Sequence, residues 1–190
     1  KGANSVTGNT VLGENALDSG SLSGESNTAI GRLTLTANTT GASNVAIGDL
    51  ALDANTTGSD NTAVGRGALG SATTASNNTA VGRKALLLNT TGTQNVAIGA
   101  LALDANTTAS NNIGVGHNSL GGTTTGSSNV AVGSQSLRTN STGQQNTAVG
   151  NEALLNNTTA SNNTAFGHLA LTANTTGAGN TAVGGNALDS

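Results

Sequence analysis

The 190-residue sequence contains no proline, cysteine, methionine, tryptophan or tyrosine, and its one aromatic residue is Phe166. Without cysteine there is no disulfide framework and no thiolate metal site. Without large aromatic side chains, which usually dominate core energetics, any core must be thin and built from Val, Ile, Leu and Ala. Charged residues make up 8% of the chain, the net charge is −3 and the pI is about 5.0. That balance argues against a phosphate-binding surface, so no nucleic-acid partner is expected. Single-strand binding would also lack its stacking platform. No apolar run approaches the length of a membrane span, and no membrane insertion is expected.

What the sequence has in place of these residues is a period. Gly stands at 31, 48, 65, 82, 99, 116, 133, 150, 167 and 184, always 17 residues apart, with Gly13 one step of 18 earlier. Each Gly closes a segment such as Asn78-Thr79-Ala80-Val81-Gly82. Counting from the leading Asn, position 1 is Asn at Asn27, Asn44, Asn61, Asn78, Asn95, Asn112, Asn129, Asn146, Asn163 and Asn180. Position 2 is Thr, Val or Ile, position 3 is Ala apart from Gly114, and position 4 is Val, Ile or Phe166. Position 9 is Leu, and positions 12 to 15 read Asn-Thr-Thr-Gly, as at Asn38-Thr39-Thr40-Gly41. Residues 1–26 read as an irregular start and first coil, and residues 27–190 as one regular domain. The opening on Lys1 and the ending within a repeat suggest a piece of a longer protein.

A unit of 17 residues is too short for two packed helices, and its Gly, Asn and Thr content disfavours helix. A fixed short period points instead to a solenoid. Thr-Ala-Val reads as a short strand. Ala-Leu at positions 8 and 9 reads as the start of a second extended segment, and Asn-Thr-Thr-Gly as a corner. The expected fold is an all-β solenoid whose coils stack about 4.8 Å apart, giving a rod about 50 Å long. The position 1 asparagines, stacked coil on coil, are expected to form a hydrogen-bonded ladder. Most charges fall at positions 6, 7 and 10, which marks one solvated corner.

Strand alternation sends positions 2 and 4 one way and position 3 the other. Large aliphatics at position 4 and Leu at position 9 are the expected core, exemplified by Val64, Val81, Ile98, Leu69, Leu86 and Leu103. Position 3 is Ala and not polar, so both faces of the strand read as buried. Ala63, Ala80 and Ala97 are therefore the expected contacts between chains, in a homotrimer or filament.

Asn44-Val45-Ala46-Ile47-Gly48 and Asn95-Val96-Ala97-Ile98-Gly99 resemble the head repeat of trimeric autotransporter adhesins. The longer Asn-Thr-Ala-Val-Gly…Asn-Thr-Thr-Gly pattern is similar to repeats of phage tail-fibre-like and bacterial surface proteins. The resemblance spans nearly the whole chain. It implies a left-handed β-roll, three parallel chains, and a rigid extracellular spacer or adhesive head on a cell surface or virion, with a surface receptor that the motif does not specify.

No catalytic, cofactor-binding or metal-binding residues are expected. His117 and His168 both occupy position 6, three coils and about 14 Å apart at the stacking rise, whereas zinc ligands lie near 2 Å. The carboxylates fall singly on the charged corner, which suits no acid–base pair. The competing reading comes from the threonines. Thr39, Thr56, Thr73 and Thr90 would form one column and Thr40, Thr57 and their equivalents another, an array of the kind found on ice-binding solenoids. Because neighbours on a strand face opposite ways, one column at most would face outward. Assembly of uncapped coil ends into an open-ended filament is the third option.

Overall fold

The computed structural model describes residues 6–189. It is a parallel β-solenoid with one three-residue strand per coil: β1 (Thr10–Leu12), β2 (Thr28–Ile30), β3 (Val45–Ile47), β4 (Thr62–Val64), β5 (Thr79–Val81), β6 (Val96–Ile98), β7 (Ile113–Val115), β8 (Val130–Val132), β9 (Thr147–Val149), β10 (Thr164–Phe166) and β11 (Thr181–Val183). The strands form a single 11-stranded sheet in sequence order. Equivalent positions pair throughout, Ala63 with Ala80 and Ala80 with Ala97. The first pairing, Thr10 with Thr28, absorbs the 18-residue step. The extra residue lies between Leu17, still buried at its usual place, and Gly24, whose carbonyl takes the Asn9 amide in the way Gly41 takes that of Asn27.

The expected second extended segment does not form. Leu at position 9 is left-handed, with φ of 52° at Leu69, Leu86 and Leu103, and so is position 7, at 58° for Leu50 and 59° for Lys84. Left-handed backbone costs an L-residue about 1–2 kcal/mol. The return is coil-to-coil bonding. The Lys84 amide donates back to the Arg66 carbonyl, while the Leu86 amide donates forward to Ala102. Alternating the backbone hand lets amides point both up and down the rod, outside the strand as well as within it.

Gly at position 5 is required twice over. Its φ lies at 137° in Gly82, and a Cβ there would stand 2.5 Å from the Gly99 carbonyl oxygen of the next coil. No alanine fits so close to a backbone atom in this hand.

The core inverts part of the expectation. The position 3 alanines face inward: Ala63, Ala80 and Ala97 have no exposed surface, so they are not contacts between chains. Val64 and Val81 are half-buried and Ile98 is 42% exposed, so position 4 is not core. Leu69, Leu86 and Leu103 are fully buried. The reason is width. A 17-residue loop encloses one column of leucine, and Ala at positions 3 and 8 and Asn at positions 1 and 12 fill what remains. A β-branched side chain at position 3 would compete with leucine for the same space.

Candidate functional site: the outward face of the sheet

The position 1 asparagines make a continuous ladder. Asn27 Oδ1 accepts from both the backbone amide and the side-chain Nδ2 of Asn44, at 3.0 and 3.1 Å. Asn44 does the same for Asn61, Asn61 for Asn78, Asn78 for Asn95, and Asn112 for Asn129. Asn95 and Asn146 accept the backbone amides of Asn112 and Asn163, Asn129 accepts from Asn146, and Asn163 accepts both donors of Asn180. A second ladder at position 12 was not anticipated. Asn55 donates to Asn38, Asn106 to Asn89, and Asn157 to Asn140. Both ladders converge within a coil, since Asn44 and Asn55 each donate to the Gly58 carbonyl. The signal for the second ladder was present, a recurrent Asn at a fixed step, but it reads equally as turn chemistry.

With the asparagines and alanines turned inward, the outer face of the sheet carries an aliphatic column at position 4 beside a mixed column of Thr, Val and Ile at position 2. Position 2 (Thr62, Thr79, Val96, Ile113, Val130) and position 4 (Val64, Val81, Ile98, Val115, Val132) lie two residues apart on every strand. Several of these side chains are well exposed: Ile47 36%, Ile98 42%, Val132 37% and Phe166 57%. From Asn27 onward no charged residue occupies positions 1 to 5. The result is an uncharged strip about 50 Å long at the coil rise.

Most of the charge lies at another corner. Arg32 pairs with Asp49 at 2.8 Å, and Arg66 Nε approaches the same carboxylate at 3.4 Å. Burial pushes the carboxyls of Asp53 and Asp104 above the usual range, against the opposing pull of local backbone amides. Both histidines are exposed on this corner. Among the described residues no three His, Asp or Glu side chains gather as a metal site would need, and no helix is long and apolar enough to cross a membrane.

The two threonine columns differ. Position 13 hydroxyls are spent within the rod, Thr39 donating to the Thr56 carbonyl and Thr56 to that of Thr73. The position 14 column, Thr40, Thr57, Thr74, Thr91, Thr108, Thr125, Thr142, Thr159 and Thr176, is exposed in every coil. In comparisons with known proteins, no family model, no curated protein and no solved structure matches the chain.

Proposed function

We propose that this chain is a non-enzymatic structural rod, a segment of an extracellular fibre, tail fibre or adhesin head, with left-handed coils and parallel copies joined as a homotrimer. The observation behind this reading is the outward, uncharged strip, with a partly exposed apolar residue at position 4 of each coil beside Thr, Val or Ile at position 2. A row of exposed aliphatic side chains along one face of a soluble protein marks a surface of interaction. A strip with one repeat per coil matches a second copy of itself at zero offset. It is also free of the charges that interface cores exclude. The contact between chains moves accordingly, from the alanines to Thr79, Val81, Val96, Ile98 and their equivalents. Rod surface beyond the strip is left for attachment to a receptor.

Light scattering tests the association. The wild-type protein is expected at about three times the 18.2 kDa chain mass. Replacing Val81, Ile98 and Val115 together with lysine is expected to give monomers with unchanged β-sheet circular dichroism. A wild-type protein that stays monomeric at high micromolar concentration overturns the proposal. The ice-binding reading keeps one specific support, the unbroken outward column from Thr40 to Thr176. Clear thermal hysteresis that is lost on replacing Thr91, Thr108 and Thr125 would favour it over the spacer.

A further inference from the structure

One coil departs from the rest on the charged corner. Positions 7 and 10 carry side chains in neighbouring coils, Leu50 and Asp53 before it, Lys84 and Leu87 after it. In the coil led by Asn61 both positions are glycine, Gly67 and Gly70. Omitting two adjacent side chains opens a notch of about 250 Å³, lined by Leu50, Asp53, Lys84 and Leu87 and edged by Arg66 and Ser71. The backbones of the two bounding coils lie about 10 Å apart, twice the coil rise. Their side chains reach in, since a Cβ on Gly70 would lie 3.3 Å from both Asp53 Oδ1 and Leu87 Cδ1. The volume is below the ~300–1,000 Å³ of drug-sized sites, so the notch suits a small molecule.

The lining has a defined chemistry. By repeat position Asp53 and Lys84 lie diagonally across the notch, at position 10 of one bounding coil and position 7 of the other, and Leu50 and Leu87 lie on the other diagonal. Among the described residues neither Asp53 nor Lys84 forms an ion pair; the ion pairs of this corner belong to Asp49 with Arg32 and Arg66. Arg66 meets Asp49 through Nε, and its side chain also borders the notch. The Asp53 carboxyl is half-buried, and burial raises its pKa, as expected for a carboxylate without a countercharge. Lys84 also lies within electrostatic reach of Asp104, one coil beyond the notch.

We propose that this notch binds a small zwitterion with an aliphatic body, a free branched-chain α-amino acid. The ammonium pairs with Asp53, the carboxylate with Lys84 and the Arg66 terminus, and the side chain lies between Leu50 and Leu87. The ammonium meets a half-buried carboxylate that has no ion-pair partner among the described residues, where a charge-assisted hydrogen bond is stronger than a neutral one.

The test is a titration of the ¹⁵N-labelled chain with leucine, followed by amide chemical shifts. Shifts confined to residues 49–54, 66–71 and 83–88 are expected. Isopentylamine, which lacks the carboxylate, and 4-methylpentanoate, which lacks the ammonium, should each bind at least tenfold more weakly. Asp53→Asn should weaken leucine at least tenfold. Gly67→Leu with Gly70→Leu should abolish binding by filling the notch. That double variant suits the fold, because Leu50 holds position 7 at φ 58° and Leu87 already stands at position 10. Unchanged sheet circular dichroism confirms that it folds. No localised shift at 20 mM leucine, equal binding of a singly charged probe, or binding that survives the filled notch overturns the proposal. Because the notch lies within one chain, a monomeric protein would sink the trimer and leave this site standing.

Discussion

At the scale of single residues the rod is governed by what its buried amides can reach. The position 12 ladder is interrupted twice, by Ala72 and by Thr123. Asn55 Oδ1 and Asn106 Oδ1, each one coil before a break, are buried without a partner, and so is the Thr123 hydroxyl. A buried acceptor left unsatisfied costs about 1–3 kcal/mol. Ala72→Asn would supply a donor to Asn55 and an acceptor for Asn89. It is expected to stabilise the chain by about 1–2 kcal/mol in urea unfolding. The carboxyl of Asp104 behaves oppositely. Burial raises its folded pKa above the ordinary 3.8, so the native state holds the proton more tightly than the unfolded chain. Its contribution is therefore most favourable below about pH 3.8 and is lost as pH rises through the folded value. Asp104→Asn should raise Tm at pH 7, and melts across pH should show the gain fading toward pH 3.8.

At the scale of the element, the strand shows where sequence reasoning succeeds and where it fails. The period, the strand and its register, the Asn27 to Asn180 ladder and the Leu69, Leu86 and Leu103 column were all legible, because each follows from a residue type recurring at one step. The direction of the strand's faces was not. Val64, Val81 and Ile98 are larger and more apolar than Ala63, Ala80 and Ala97, and hydrophobicity alone sends the larger set inward. Steric fit decides otherwise, since the leucine column already occupies the interior. The left-handed leucines were hidden for a different reason. Their strain is offset by bonds to other coils, which local propensity does not register. Ala80→Leu tests the packing account: overfilling at this inward position is expected to cost about 1–3 kcal/mol, read by thermal melts. Ile98→Leu, on the outward face, should leave the stability of the single coil stack nearly unchanged.

At the scale of the whole molecule, every coil touches only the coils before and after it, so stability is a sum of nearest-neighbour terms. The strand pairs, both asparagine ladders and the position 13 hydroxyl bonds all run along the rod axis. Axial tension on a single chain therefore loads these bonds in series, at the ends first, and frays the stack one lap at a time. Each lap that peels away frees 17 residues, as the spacing of the paired strands sets. At about 3.4 Å per extended residue, less one coil rise, the release is about 50 Å. Force spectroscopy should record a regular staircase with that increment, in place of the single large rip of a globular domain. The period that fixes the register of the coils thus also fixes the length released at each step, so yielding under load is expected to be graded.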